Sequence, residues 1–201
     1  DEFFKKNNID KGLMTLVEED RQDHLLQELS DLDFKKACGG SAANTIIAVS
    51  QFGGKSFYSC KVADDDFGHF YLADMRENGV DVNLNENNLT SGITGKCMVM
   101  VTPDAERTMN TFLGITSTFS KDELVLDKIK NSEYLYVEGY LVTSPTGQEA
   151  AVQAVKVARE NNVKTALTFS DPNMVQFFKD NFMAIIGDGV DLLFCNEVEA
   201  L

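Results

Sequence analysis

Apolar and polar positions follow two periods along this chain, and the switches between them divide it into elements. Residues 1–36 carry little helical periodicity until 19–29, where Leu25, Leu26 and Leu29 recur on one helix face. The run 13–17 before it is short and β-like. From about 42 to 52 the pattern is helical, with Ile46, Ile47 and Val49 expected on the buried side, and Gly53-Gly54 ends it. Residues 56–60 read as a strand. Residues 67–78 read as a helix stopped by Gly79 and preceded by Asp64, Asp65 and Asp66. Three adjacent aspartates invite a metal site, but at a helix start carboxylates cap free amides and complement the dipole, so a cap is expected.

Between Gly92 and Phe112 the period shortens to two. Segments 96–101 and 107–112 flank a turn at Pro103-Asp104, which predicts a β-hairpin, either covering a site or lying as a plain edge. Helical spacing returns at 121–130, then a strand at 134–137 and a long helix at 145–161 with Pro145 in its first turn. A strand at 164–169, a helix at 174–186 and a strand at 191–195 follow. Crossovers this long join parallel strands, so the expected fold class is α/β, a parallel sheet covered by helices. Sheets of that kind place ligands beyond the carboxyl ends of their strands. Glu138, Asp171, Asn173, Asn196 and Glu199 all stand just after predicted strands. Helix capping explains each of them equally well.

The most distinctive chemistry lies in 37–54, ACGGSAANTIIAVSQFGG. Gly39 and Gly40 allow a ligand to approach the backbone, and the following helix offers free amides and the positive end of its dipole. Ser41 and Asn44 add a hydroxyl and an amide beside slim Ala42 and Ala43. A hydroxyl-rich or anionic small molecule suits such a place. A glycine turn packed tightly under a neighbouring strand is the competing reading.

Composition narrows the partners. The chain has 201 residues, 43% hydrophobic and 25% charged, enough for one sizeable core. Net charge is −14 and no basic cluster stands out, which argues against nucleic acid. No apolar run is long enough to span a membrane. Cys38, Cys60, Cys97 and Cys195 form no CxxC pair, and His24 and His69 lie at no metal-ligand spacing, so zinc is not expected. Reduced thiols point to a cytoplasmic protein. The end of a P-loop at Gly54-Lys55-Ser56 fails because Val49 occupies the first glycine position, and neither GxGxxG nor GxSxG occurs.

These residues carry a resemblance. GGSAAN with its apolar helix and closing glycine pair resembles the first signature of the PfkB, or ribokinase-like, carbohydrate and nucleoside kinases. Val62 to Gly68 is similar to that family's next turn, Glu106-Arg107-Thr108-Met109 to its lid segment, and Glu138-Gly139-Tyr140 to the end of a core strand. Asn196-Glu197-Val198-Glu199 resembles its NxxE motif. Ser41, EGYLVTSP and SDPN look most like the adenosine-kinase-like branch.

The resemblance implies a ribokinase-like fold, a mostly parallel central sheet flanked by helices with a small β-sheet lid from about 10–18 and 92–113. It implies transfer of the ATP γ-phosphoryl group to a hydroxymethyl group of a sugar or nucleoside, with ATP and Mg2+ as cofactors. Gly39, Gly40, Ser41, Asn44, Arg107 and Glu138 would hold the substrate. Asp171, Asn173, Asn196 and Glu199 would lie near the nucleotide, with Glu199 reaching magnesium through water. Phe112, Met98 and Met100 are candidates for an apolar pocket wall. The lid would also pair two copies as a homodimer. On this reading residues 1–201 are the N-terminal two-thirds of the domain, and the catalytic aspartate in a GAGD-type segment lies beyond Leu201. Without that segment negligible kinase activity is expected. A non-catalytic sugar- or nucleoside-binding relative is the alternative, and an unrelated doubly wound oxidoreductase the third reading.

Overall fold

The computed structural model describes residues 2–201. Helix α1 (Glu2–Lys6), strand β1 (Met14–Leu16) and helix α2 (Glu19–Glu28) come first. Then follow α3 (Ser41–Gln51), β2 (Ser56–Tyr58), α4 (Asp66–Glu77) and β3 (Val80–Val82). The hairpin is β4 (Thr94–Val101) and β5 (Arg107–Gly114). Beyond it run α5 (Leu126–Lys130), β6 (Tyr134–Val137), α6 (Pro145–Glu160), β7 (Lys164–Thr168), α7 (Pro172–Phe177), α8 (Lys179–Ile186), β8 (Leu192–Phe194) and α9 (Glu197–Ala200).

Parallel pairing is present, but in two pieces. Strands β6, β7 and β8 form one parallel sheet and β2 with β3 another. Helix α6 explains the packing of the larger piece. Ser144 caps it by accepting from the Gly147 amide at 3.0 Å, Pro145 sits at the first turn, and Ala150, Ala151, Ala154 and Ala158 make a buried stripe. Such small side chains bring the helix axis close to the sheet. Val137, Val142, Val155, Leu167, Phe182 and Ile185 fill the core beside it. Cys38, Ala43, Met75 and Val80 form a second cluster between α3, α4 and β3.

Three local expectations change. The helix at 121–130 is broken, because Ser120 and Glu123 form a reciprocal capping box around a 3-10 turn (Lys121–Glu123), and α5 starts only at Leu126. The helix at 174–186 is two helices joined at Phe178, whose φ of −126° lies outside the helical range. Val49 is exposed rather than buried, lying against the Gly54 turn on the outer side of α3. The three aspartates behave as a cap: Asp65 accepts from the Gly68 amide at 2.7 Å.

The third sheet joins the two distant segments expected to pair. β1 runs parallel to β5, and β5 antiparallel to β4. Register sorts its side chains into two faces. Thr108, Asn110, Phe112, Lys96, Met98 and Met100 share the face covered by α2, whose Leu25 and Gln22 are buried. The Gln22 amide nitrogen donates to the Lys96 carbonyl at 2.9 Å. Met14, Leu16, Val99, Val101, Met109 and Leu113 share the opposite face, which stays largely exposed.

Candidate functional site

The glycine turn opens outward. Gly40 has φ +100°, a region unfavourable to side chains, and a Cβ built on Gly39 or Gly40 would meet nothing within 4 Å. A turn packed under a strand would leave no such space. Ser41 and Asn44 are exposed on the first turn of α3, while Ala43 is fully buried beneath them. The chain before the turn is held to α4: the Cys38 amide donates to Asp74 Oδ2 at 2.7 Å, and its thiol to the Tyr71 carbonyl at 3.3 Å. Burial, followed by the neighbouring Asp74 carboxylate, pushes the Cys38 thiol far above its ordinary pKa, so it stays protonated. Burial likewise pushes the Cys60 thiol up to about 12.

Glu138 lies at the carboxyl end of β6 and is buried. One of its oxygens accepts from the Ser170 hydroxyl and the other from the Tyr136 hydroxyl at 3.2 Å. Ser170 Oγ in turn accepts from the Gly139 amide at 2.9 Å. Gly139 has no room for a side chain, since a Cβ would stand 2.5 Å from the Thr168 carbonyl and 2.8 Å from that of Phe169. The ends of β6 and β7 are therefore locked together. Thr45 of α3 and Thr168 of β7 act on the Tyr136 hydroxyl in the lowering sense. Burial first, then the Glu138 carboxylate, raises the Tyr136 pKa, which keeps the phenol a hydrogen-bond donor. Tyr140 is shifted the same way, by burial first and then by the negative charges of Asp171, Glu138 and Glu199.

The remaining predicted residues are capping groups. Asp171 accepts from the Asn173 amide at 2.8 Å at the start of α7. Asn196 and Glu199 form a reciprocal capping box on α9: the Glu199 amide donates to Asn196 Oδ1 at 2.9 Å, and Glu199 takes the Asn196 amide at 3.2 Å and its side-chain nitrogen at 2.9 Å. Glu199 is buried and Asn196 exposed. Arg107 stands apart, exposed at the start of β5 on the open face of the three-stranded sheet. Phe112, Met98 and Met100, the expected pocket wall, lie on the other face, towards α2. Tyr136, Ser170 and Thr45 were not apparent from sequence. The one signal was Tyr136 two residues before Glu138, hence on the same strand face.

Residues 15–201 match the pfkB family carbohydrate kinase domain. The chain belongs to that family. Among curated relatives, a probable fructokinase-3 of Arabidopsis thaliana is 35% identical over 147 residues, covering 70% of this chain and 40% of the relative. A fructokinase of Solanum tuberosum is 32% identical over 144 residues, covering 70% of this chain and 44% of its own length. Among solved structures, an adenosine kinase from Sinorhizobium meliloti superposes with a TM-score of 0.88 at 35% identity, covering 100% of this chain and 61% of that one. A probable sugar kinase from Rhizobium etli CFN 42 gives 0.89 at 32% identity, covering 100% and 60%. The fold is thus ribokinase-like α/β, and the chain spans less than half the length of the curated relatives it matches.

Proposed function

We propose that the protein is a small-molecule kinase that transfers the ATP γ-phosphoryl group to a hydroxymethyl group of a sugar or nucleoside. The observation that carries this reading is the outward-opening turn Gly39-Gly40-Ser41 at the head of α3, in a chain of a carbohydrate kinase family. Backbone amides, the Ser41 hydroxyl and the Asn44 amide there present the mixed donors and acceptors that hold vicinal hydroxyls.

Bound ATP and magnesium supply the transferable phosphoryl group and neutralise its charge. Asn196 and Glu199 offer oxygens only, which suits a hard cation held through its waters. Asp171 and Asn173 lie on the nucleotide side in this reading. Arg107, an exposed guanidinium on the open sheet face, approaches the transferring phosphate when that sheet closes as a lid. The open apolar face of the sheet favours an acceptor with an apolar plane, hence a nucleoside over a free sugar, and two copies pair through the lid. The described cysteines are free thiols, consistent with a cytoplasmic protein.

The test is ATP consumption by the full-length protein, with magnesium, against nucleosides and free sugars. Turnover on adenosine, inosine or guanosine supports the nucleoside reading, and turnover on free sugars alone corrects the acceptor. Binding without turnover on any of them overturns the kinase reading in favour of a regulatory relative.

A further inference from the structure

Open space surrounds the glycine turn, so packing at Gly39 and Gly40 does not decide where it stands. Hydrogen bonds do, and they come from α4. The Cys38 amide donates to Asp74 Oδ2 at 2.7 Å, the Cys38 thiol donates to the Tyr71 carbonyl at 3.3 Å, and the Tyr71 hydroxyl donates to the Gly39 carbonyl at 3.4 Å. The Gly40 carbonyl accepts from the Asn44 amide at 2.9 Å, within the helix that the turn begins. Beyond α3 and α4, no element bonds to residues 38–40 among the described residues. Tyr71 and Asp74 lie three residues apart, hence on one face of α4. Asn78, on the same face, donates its side-chain amide to Asp74 Oδ1 at 3.2 Å and accepts from Gln51 at the end of α3 at 3.3 Å. Both Asp74 oxygens are therefore engaged, one by the segment leading into the turn and one by its own helix. The same helix begins at Asp65, which holds Thr94 at the base of the hairpin. Turn and hairpin base are fastened to one rigid element.

We propose that Asp74 and Tyr71 are positioning residues for the acceptor: they fix the Gly39–Ser41 turn on α4, and α4 sets where that turn stands relative to the base of the hairpin. The inference rests on reading the turn as the acceptor site. Asp74 acts through the Cys38 amide and Tyr71 through the Gly39 carbonyl. A turn with no packing of its own moves when these bonds are cut, and a small displacement of a group that orients a substrate is felt in binding.

The full-length protein tests this with adenosine and fructose as probes. Asp74→Ala raises KM for the acceptor about tenfold, as loss of a hydrogen bond to a charged group does, with kcat and the ATP KM within about twofold. Asp74→Asn keeps an oxygen for the Cys38 amide and returns the acceptor KM to within about threefold of the unaltered protein. Tyr71→Phe keeps the ring, loses the bond to Gly39 and raises the acceptor KM about threefold. Leu72 is buried on another side of α4 and bonds nothing in the turn, so Leu72→Val lowers the unfolding temperature and leaves the acceptor KM within about twofold. Unchanged acceptor KM in Asp74→Ala, no recovery in Asp74→Asn, or an equal rise in Leu72→Val overturns the inference. Where Asp74→Ala does not fold, Tyr71→Phe carries the test, and an unchanged acceptor KM there overturns it. If the unaltered protein binds a probe without turnover, the kinase reading falls while the positioning role is read from Kd by calorimetry in the same variants, where unchanged values overturn it. Absence of binding by both probes overturns the acceptor reading and the inference together.

Discussion

Asp65 and Thr94 are joined by two hydrogen bonds, one to each carboxylate oxygen. Asp65 Oδ1 accepts from the Thr94 hydroxyl at 2.6 Å, Asp65 Oδ2 accepts from the Thr94 amide at 2.8 Å, and the hydroxyl oxygen receives the Ala63 amide at 3.0 Å. The same carboxylate caps α4 through Gly68. One side chain thus fastens the start of the hairpin to the start of a helix. Asp65→Ala removes the cap and leaves the buried Thr94 donors unpaired, so the expected loss is about 2–4 kcal/mol in urea unfolding. Asp65→Asn, which keeps one acceptor oxygen, loses less. Equal and negligible losses in the two variants would refute the assignment.

Acid sensitivity follows from the same group and from Glu123. Burial pulls the Asp65 pKa upward, but the Thr94 hydroxyl and amide, the Gly68 amide and Lys96 outweigh it, and the pKa is lowered. Glu123 is lowered in the same way, its burial outweighed by Lys61 at 2.9 Å and by Ser120. A folded pKa below the unfolded value means stability that is complete above the unfolded pKa and lost as pH falls through the folded one. Stability is therefore flat from neutral pH down to about 5 and declines below about 4, the ordinary carboxylate range. Lys61→Met removes a partner from a largely buried pair and lowers stability at pH 7 more than at pH 3. Equal losses at the two pH values would sink this reading.

The glycines separate fold from function. Gly39→Ala adds a methyl group in open space at a backbone angle outside the glycine-favouring region, so the unfolding midpoint stays nearly unchanged. If the turn holds the acceptor, the same methyl group reduces acceptor affinity about tenfold or more. Gly139→Ala does the opposite kind of damage. Its methyl group collides with the Thr168 and Phe169 carbonyls, and the expected cost is at least about 2 kcal/mol. Thermal unfolding and isothermal titration of both variants read the two quantities separately. Comparable destabilisation at Gly39 and Gly139 would show that the Gly39 turn is packed after all.

Most element positions were legible in the sequence because they depend on local periodicity and punctuation: the Gly53-Gly54 stop, Pro145 at a first turn, the alternation around Pro103-Asp104. Breaks at Leu124-Val125 and Phe178 were not, since a capping box inside a run of helix formers and a single non-helical φ leave the apolar spacing intact. The division of the parallel strands into two sheets depends on pairing between distant segments, to which periodicity is blind. At the site, the glycine turn was legible as a motif, yet its openness was not, because open space has no sequence signature. Tyr136 and Ser170 escaped notice because each is ordinary alone, and only the meeting of β6 with β7 makes them partners of Glu138.

The two faces of the three-stranded sheet give the sharpest contrast between packing and recognition. Leu25 is completely buried against the inner face, so Leu25→Ala removes several methyl groups from a filled space and costs about 2–5 kcal/mol. Leu16 and Val99 lie on the outer face at 60% and 50% exposure, where a polar side chain loses little burial. Leu16→Gln and Val99→Gln therefore change the unfolding free energy by less than about 0.5 kcal/mol. If this face closes over an acceptor with an apolar plane, the same two substitutions weaken nucleoside binding several-fold and leave binding of a free sugar untouched. A face used only to pair copies of the chain predicts another result: lost self-association on sedimentation, with both acceptors bound as before. Measuring both acceptors and the association state in one variant set decides between the two, because an apolar surface serves whichever partner removes it from water.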